Sequence, residues 1–284
     1  MNPARSLRRA LRTPGKYALA ALRWRRLRFD EAPPIFGNGK PKSGTHLLVQ
    51  ILAGMCRVAP YAYVAAEPVR TITPDGRRRS ADEILDDLRR IPRGVIGWGY
   101  LDHTPENVDF LCRPGRVNYF IYRDPRDLLV SQVYFATEMH EGHGMHEYYN
   151  ALPDFGARLK VAITGIDREG LHMVNVRQRY EAVLRWLEQP GVLCLRFEDL
   201  IHRREETLGR MLDEIEKTGY RLPTPREKAI AILIEAIQPR KSHTFRSGKT
   251  GTWREHFTEE HKALFKEIAG DLLVQLGYEE NNDW

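Results

Sequence analysis

The sequence predicts an α/β fold in which a central, mostly parallel sheet is flanked by helices. Short apolar runs alternate with amphipathic helical patterns, which is typical of a parallel sheet covered by helices. A glycine-rich turn at 36–48 joins the first predicted strand to the first predicted helix. Of the 284 residues, 42% are apolar and 29% are charged, which indicates a globular chain with a sizeable core.

The first half of the chain contains three predicted strands and two predicted helices. Residues 33–39 form an apolar run that ends in the glycine turn, and 44–58 repeat apolar positions at helical spacing. A second amphipathic helix is predicted over 81–91. The runs 94–98 and 117–122 are short and apolar, as in buried parallel strands.

The sequence of the second half of the chain predicts five further helices and one further strand. Residues 124–139 begin a helix, with Asp124 as the N-cap and Pro125 at the first helical position. The other expectations are helices over 172–189, 199–218, 224–238 and 258–275, a strand over 192–197 and a loop over 239–256.

The positive charge of the chain is concentrated at its N-terminus. Lysine and arginine together number 44 against 38 aspartates and glutamates, a formal net charge of +6. Residues 1–29 hold nine basic side chains and no acidic one, so the rest of the chain has 35 basic and 38 acidic side chains. This distribution disfavours nucleic-acid binding, for which positive charge is usually spread over a folded face. We expect 1–30 to be a basic arm or helix, and 31–284 to be a single domain. The arm is either a mobile tail or extra helix without further role, or a segment that makes weak contact with an anionic membrane surface.

The cysteine pattern indicates a reducing compartment. Cys56, Cys112 and Cys194 are odd in number, far apart and in no metal-like spacing, which disfavours a disulfide framework or a zinc site. No apolar run approaches the roughly 18 residues of a membrane span, and the N-terminus lacks the order of a secretory signal. We therefore expect a cytoplasmic protein without a bound metal.

The turn at 36–48 is a candidate anion-binding site. The first amides of a helix are unpaired and lie at the positive end of the helix dipole, and glycines let an anion approach them. Lys42 adds a charge, and Ser43 and Thr45 add hydroxyl donors. The pattern G-x-x-x-x-G-K-[ST] does not fit, because Thr45 and not a lysine follows Gly44. The mismatch disfavours a magnesium-dependent kinase or nucleoside triphosphatase.

Four blocks follow one another in the order of a known enzyme family. They are PKSGTHLL (41–48), YFIYRDPRDLLVSQVYF (119–135), RFEDL (196–200) and FRSGKTGTWREHFT (245–258). Together they resemble the 5′-phosphosulfate loop, the 3′-phosphate block, a strand-end motif and the C-terminal signature of sulfotransferases that use 3′-phosphoadenosine 5′-phosphosulfate (PAPS). The resemblance covers roughly 34–278. It implies a P-loop-like three-layer fold and transfer of a sulfuryl group to a hydroxyl or amine, with adenosine 3′,5′-bisphosphate (PAP) as the second product.

The resemblance also implies which residues bind the donor. Lys42 would contact the 5′-phosphate and the bridging oxygen, where it stabilises the charge that collects on the leaving phosphate. The other implied donor ligands are Ser43, Gly44, Thr45, His46, Arg123, Ser131, Phe197, Arg246, Ser247 and Gly248. His46, Leu47 and Ser247 stand where the family commonly has a threonine, a tryptophan and a lysine.

Several residues are candidates for the catalytic base, which is the group that removes the proton of the acceptor molecule. In register with the family, Tyr100 occupies the usual histidine position, but a phenol with a pKa near 10 is a poor base at neutral pH. His103 is three residues further on beside Asp102, and Glu67 resembles the glutamate of glycan sulfotransferases. An enzyme without a dedicated base is the fourth alternative.

The acceptor itself cannot be read from these motifs. It is expected to be a small molecule, a lipid or a glycan, bound by loops around 61–80, 98–104 and 138–172. Residues 138–149 hold His140, His143 and His146 among glycines, which favours a mobile acceptor-binding loop, or a plain solvated loop, over a metal site. A P-loop kinase of a small molecule and a non-catalytic nucleotide-binding descendant of the family are the two alternative functions.

Overall fold

The computed structural model describes residues 3–73, 76–238 and 248–284, with only the backbone of 3–13. The described residues divide into two compact units. Unit 1 consists of Met1–Ile121 and Pro190–Gln238, and unit 2 consists of Tyr122–Gln189 and Pro239–Trp284.

The described part of the chain alternates between strands and helices in the way that the sequence predicts. The strands are β1 (Ile35–Gly39), β2 (Tyr63–Val64), β3 (Val69–Arg70), β4 (Val95–Tyr100), β5 (Val117–Tyr122), β6 (Ile166–Arg168), β7 (Leu171–Met173) and β8 (Val192–Arg196). The α-helices are α1 (Pro3–Trp24), α2 (Thr45–Val58), α3 (Ala81–Arg89), α4 (Pro105–Leu111), α5 (Pro125–Tyr134), α6 (His146–Ala151), α7 (Phe155–Thr164), α8 (Val176–Leu187), α9 (Phe197–His202), α10 (Arg204–Glu216), α11 (Arg226–Ala236), α12 (Glu259–Ala269) and α13 (Leu272–Gln275). A π-helical turn, Phe135–Met139, extends α5.

The main sheet has six strands, in the order β2-β4-β1-β5-β8 with β3 added on β4. β1 lies in the middle and pairs in parallel with β4 on one side and with β5 on the other. The carboxyl ends of β1 and β4, which precede the turn at 40–44 and the segment 101–104, therefore lie at the same edge of the sheet. The mostly parallel α/β architecture predicted from the sequence is confirmed.

The core of unit 1 holds the sheet against α2. Leu48, Ile51, Leu52 and Met55 recur at helical spacing and are fully buried, as the 3.6-residue period of the sequence predicts. At roughly 25 cal/mol per Å² of apolar surface removed from water, such side chains contribute most of the stabilisation. The same packing fixes the start of α2 at the end of β1.

The basic N-terminal segment forms the helix α1. From Tyr17 onward its inner face packs on unit 1, where the Tyr17 ring meets Phe29 and Tyr63 at centroid distances of 6.1 and 5.4 Å. Trp24 Nε1 donates a hydrogen bond of 3.2 Å to the carbonyl oxygen of Cys56 at the end of α2. Among the residues described, no helix is both long and apolar enough to cross a membrane.

Three of the predicted helix boundaries were wrong. The predicted helix over 172–189 starts only at Val176, because Asn175 and Gln178 form a capping box and β7 pairs with β6 just before it. The prediction over 199–218 becomes α9 and α10, which are separated at Arg203, a residue outside the helical region. The last helix is interrupted at Gly270, whose φ of +58° ends α12.

Candidate active site

The turn between β1 and α2 has a tightly fixed backbone. Lys42 has a φ of +69°, which is rare for a residue with a side chain, and Gly44 has a φ of +96°. Ser43 Oγ lies 2.6 Å from the carbonyl oxygen of Lys40 and 3.1 Å from that of Ile121, and it accepts the N–H of Lys40 at 3.1 Å. The buried Ser43 thus joins both ends of the turn to the end of β5.

The amino end of α2 has no side-chain cap. Gly44 is the N-cap and offers no side-chain acceptor to the first amides of the helix. The buried Thr45 turns its Oγ1 back to the Lys40 carbonyl oxygen at 3.1 Å, while His46 is exposed with its ring centroid 6.4 Å from that of Trp98. A helix that begins at a glycine N-cap, two residues after a lysine, is suited to a phosphate or sulfate group.

Phe197 packs against this turn. A β-carbon on Gly44 would lie 2.5 Å from Cδ2 of Phe197, so only glycine allows the ring so close. Phe197 follows β8 directly as the first residue of α9 and is buried. The structure therefore brings together Lys42, Ser43, Gly44, Thr45 and Phe197 of the predicted donor ligands.

A charged cluster beside the turn was missed by the sequence analysis. Lys40 Nζ lies 2.8 Å from Asp102 Oδ1, and Arg78 Nη2 lies 3.1 Å from the other carboxylate oxygen. The backbone N–H of Asp102 donates to Thr71 Oγ1 at 3.0 Å, which holds the residue in place. Lys40 follows β1 and Asp102 follows β4, so the parallel pairing of these strands was the signal that would have predicted the contact.

The three candidate bases lie at the end of a strand of unit 1 or on a segment that follows one. Tyr100 ends β4, is hydrogen-bonded to Thr45, and has its pKa raised by burial, with Arg70 and Thr45 acting in the opposite direction. Its ring packs edge-on against Trp98 at a centroid distance of 5.8 Å. His103 is partly exposed just beyond Tyr100, and Glu67 is exposed in the bend between β2 and β3. Burial keeps Tyr100 protonated, which makes it an even weaker base than a free phenol.

Unit 2 holds Arg123 against the C-terminal loop. Arg123 Nη2 donates to the carbonyl oxygen of Lys249 at 2.9 Å and lies 3.6 Å from Asp127 Oδ2. The fully buried Asp127 also accepts the N–H of Gly251 at 2.7 Å and that of Trp253 at 2.9 Å. It accepts the hydroxyl of Thr252 as well, at 3.0 Å. One carboxylate thus fixes both the arginine and the loop.

Trp253 anchors that loop through a buried arginine. The buried Arg126 guanidinium lies 3.9 Å from the Trp253 ring centroid and 4.6 Å from that of Trp284. Its Nη2 pairs with Asp124 at 2.7 Å, and Nη1 pairs with Glu279 at 2.5 Å. Charge-assisted hydrogen bonds and cation–π contacts of this kind fix the chain end beside α5.

The remaining predicted donor ligands are also in unit 2. Ser131 is buried on α5, two turns after Pro125, and Gly248 is partly exposed with a φ of +64°. Arg246 and Ser247 lie outside the described residues.

The histidine-containing segment packs on the π-helical turn. The rings of His140 and His143 lie edge-on to Phe135 at centroid distances of 5.4 and 5.9 Å. His146 starts α6, and its Nδ1 is 2.8 Å from the carbonyl oxygen of Ala136. Within the described ranges, no group of three or more His, Cys, Asp or Glu side chains is arranged to hold a metal ion.

Comparison with known proteins identifies a family. The profile of the sulfotransferase domain matches residues 119–277. The guinea pig (Cavia porcellus) 3-beta-hydroxysteroid sulfotransferase is 25% identical over 254 residues, which are 82% of this chain and 81% of that protein.

Solved structures share the fold at lower identity. Mouse sulfotransferase SULT7A1 complexed with PAP superposes with a TM-score of 0.55 at 18% identity, covering 93% of this chain and 90% of the mouse chain. Retinol dehydratase in complex with androsterone and the inactive cofactor PAP gives a TM-score of 0.56 at 16% identity, covering 84% and 80% of the two chains. Since the family profile spans more than half of the sequence, this chain belongs to the PAPS-dependent sulfotransferase family and is an enzyme of that class.

Proposed function

We propose that the protein transfers a sulfuryl group from PAPS to a hydroxyl, or to an amine, of a small-molecule, lipid or glycan acceptor. The observation that carries this proposal is the turn at 40–44, where left-handed Lys42 and Gly44 precede the amino end of α2, which has no side-chain cap. Such a turn presents backbone amides to an anion, and in our proposal the Lys42 side chain binds the same group. Because the chain belongs to the PAPS-dependent sulfotransferase family, we infer that this anion is the 5′-phosphosulfate group of PAPS.

In the proposed reaction, the acceptor oxygen attacks sulfur and the bond from sulfur to the bridging oxygen breaks. The electron pair of that bond passes to the leaving 5′-phosphate, so negative charge accumulates next to Lys42. Ser43, Gly44, Thr45 and His46 would supply amide and side-chain donors to the same phosphate. Preorganised donors of this kind contribute about 3 kcal/mol each to a barrier in comparable acyl-transfer sites. No metal is required in this scheme, because fixed cations stabilise the charge.

Unit 2 would supply the ligands of the 3′-phosphate. Arg123 and Ser131 are its proposed donors, together with Gly248 and with Arg246 and Ser247 of the C-terminal signature. Support comes from the Asp127 contacts, which hold Arg123 and the loop from Gly251 onward as one assembly. Phe197 is proposed to act indirectly, by holding Gly44 in its conformation.

We propose His103 as the base that removes the acceptor's proton. It lies beyond the carboxyl end of β4, at the same sheet edge as the turn that carries Lys42. Tyr100 is disfavoured because burial raises its pKa. Glu67 is the second candidate, and a reaction without a dedicated base is the third.

An apolar alcohol is the acceptor class to test first. The matched guinea pig enzyme is named for a hydroxysteroid, and retinol dehydratase has been solved with androsterone and with retinol. All of these are ring-containing apolar alcohols. We propose an acceptor of that kind ahead of a glycan or an amine.

We also propose that 31–284 acts as one catalytic domain in the cytoplasm, with 1–30 as an appended membrane-contacting helix. Support for the membrane contact comes from the exposed apolar residues Leu19, Leu22 and Leu27, which are interspersed with arginines. Binding of the chain to vesicles rich in anionic lipid, compared with a variant carrying Leu19→Ser and Leu22→Ser, tests this role.

Thermal unfolding separates the proposed function from its two alternatives. PAP should raise the unfolding temperature strongly, because a ligand of the folded state alone stabilises it by mass action, whereas ATP with magnesium should have much less effect. A reversed order would favour the kinase. Stabilisation by PAP with no transfer of labelled sulfate to alcohols, phenols, amines or glycans would favour the non-catalytic descendant.

A further inference from the structure

A cavity lies in unit 1 at the amino ends of β1, β4 and β5. Its volume is about 730 Å³, and it is lined by Ile35, Val95 and other residues at those strand starts. The turn with Lys42 follows the opposite, carboxyl end of β1. The cavity is therefore distinct from the candidate active site. The sulfotransferase reaction does not explain what the cavity does.

The wall of this cavity carries positive charge without a matching acid. Among the described residues, Arg93 and Arg116 form no ion pair, whereas neighbouring Arg113 pairs with Asp109 at 2.8 Å. Burial lowers the pKa of Arg116, and repulsion from Arg113 and Arg93 lowers it further. An oxyanion bound between Arg93 and Arg116 would relieve that repulsion.

Acidic groups at the cavity do not cancel this charge. Glu31 is paired at 2.7 Å with Arg26, which is not part of the cavity lining. Asp30 is exposed and lies within 4 Å of no cationic group among the residues described. The cavity is therefore lined by two guanidinium groups without an acidic partner, those of Arg93 and Arg116, and by one carboxylate without a basic partner, that of Asp30. These three groups give the cavity a net positive charge.

The floor of the cavity combines aromatic and polar side chains, and its two rings, Phe36 and Phe110, are 5% and 7% exposed. Phe36 and Asn118 are register partners on adjacent strands, so their side chains share one face of the sheet, and Asn118 Nδ2 donates to the Leu111 carbonyl oxygen at 2.8 Å. Phe110 forms another wall, with the Arg116 guanidinium 4.5 Å from its ring centroid. A β-carbon on Gly97 would lie 2.7 Å from the Phe36 ring, so the glycine allows that ring to lie flat on β4.

We propose that this cavity is a binding site for an amphipathic anion, with a sulfate or carboxylate group held by Arg93 and Arg116 and a ring-containing apolar body held by Phe36 and Phe110. Guanidinium groups recognise both oxyanions through paired N–H donors. Aromatic walls provide the apolar contact area for the ligand body. Sulfate esters and aromatic carboxylates are two sources of this one chemistry, and binding does not depend on catalytic turnover.

Calorimetric titration with four matched naphthalene probes tests the proposal, with the full chain saturated with PAP. The probes are 2-naphthyl sulfate, 2-naphthoate, 2-naphthol and 2-naphthylmethylammonium. The sulfate and the carboxylate should bind at least about ten-fold more tightly than the cationic probe, as expected for a charge-assisted contact of about 1.4 kcal/mol or more. The naphthol belongs to the acceptor class that we propose for the catalytic site, so it serves as the control for binding there. Stronger binding of the sulfate than of the carboxylate would identify sulfate esters as the preferred source. Equal affinity for the 2-naphthylmethylammonium and the anions would overturn the proposal.

The variant R93Q/R116Q locates the bound anion. It should weaken binding of the sulfate at least about ten-fold, whereas Arg90→Gln should not, because Arg90 is exposed and outside the cavity lining. An unchanged affinity of R93Q/R116Q would refute the site.

Hydrogen exchange of the unmodified chain also locates the bound anion. This measurement needs no substitution, so it tests the site even if R93Q/R116Q folds poorly. Naphthyl sulfate should protect backbone amides in 89–97 and 110–118. Protection confined to 42–48 and 100–104 would place the probe at the catalytic turn and contradict the proposal.

Discussion

The ring of Phe197 lies against the α-carbon of Gly44, so closely that a β-carbon at position 44 would be 2.5 Å from Cδ2 of the ring. Gly44 also has a φ of +96°, a conformation that side-chain-bearing residues rarely adopt. Two independent constraints therefore require glycine at this position. Through this contact, the segment after β8 supports the turn that we propose to bind the 5′-phosphate.

Gly44→Ala should destabilise the protein and weaken PAP binding more than backbone strain alone explains. Gly170→Ala is the matched control, because Gly170 has a φ of +75° but open space around its α-carbon. The control should cost only the left-handed strain of about 1–2 kcal/mol. Chemical denaturation measures the stability difference, and titration calorimetry measures PAP affinity. Equal losses for the two variants would show that the Phe197 contact is unimportant.

Asp127→Ala should lower the free energy of unfolding by about 3–5 kcal/mol, because it removes the buried carboxylate that pairs with Arg123 and accepts the hydrogen bonds of the C-terminal loop. PAP affinity should fall with it, since Arg123 is a proposed ligand of the 3′-phosphate. Asp167→Ala removes an exposed carboxylate of the same unit, and we expect it to change stability by less than about 1 kcal/mol. Urea denaturation of both variants checks the difference. A loss below 1 kcal/mol for Asp127→Ala would contradict the proposed role of that carboxylate.

His103→Gln should lower kcat/KM about 10²–10⁴-fold, as expected for the loss of a general base. Tyr100→Phe should leave kcat/KM at neutral pH nearly unchanged, because burial raises the pKa of Tyr100 and keeps the phenol protonated. The same measurement for Glu67→Gln tests the second candidate. If Tyr100→Phe or Glu67→Gln, and not His103→Gln, lowers kcat/KM to this extent, our assignment of the base is wrong.

Cysteine alkylation should follow burial. Burial raises the pKa of Cys56 to about 12 and that of Cys194 to about 12, so both thiols stay protonated and unreactive at pH 8. Cys112 is partly exposed, although burial raises its pKa as well, and it should be alkylated first. Mass spectrometry after timed iodoacetamide treatment gives the order, with the denatured chain as the control for intrinsic reactivity. Faster modification of Cys56 than of Cys112 would contradict this packing.

Much of the sheet, and the position of the turn at 40–44, could be predicted from the sequence. The apolar run of β5 and the N-cap at Asp124 carry local signals that tertiary packing did not override, and Asp124 does accept the N–H of Arg126. The turn with Lys42 was predicted because glycine, lysine and hydroxyl residues at that spacing have few other uses. The structure places this turn where the sequence predicted, between β1 and α2.

Other features depend on contacts between distant parts of the chain. β2 and β3 have two residues each, too few for any periodicity to be detected. The placement of Arg126 between Trp253 and Trp284 joins segments that no local pattern connects. The cavity at the amino ends of the strands likewise arises only when β1, β4 and β5 are side by side.

Transfer of labelled sulfate from PAPS to an apolar alcohol, measured in a single turnover, tests the central claim most directly. Lys42→Ala should slow the transfer step about 10²-fold or more, as expected for loss of one charge-stabilising donor. Lys228→Ala, which removes an exposed lysine of α11, should leave the rate unchanged. Full activity of Lys42→Ala would contradict the assignment of the turn at 40–44 as the site of sulfuryl transfer.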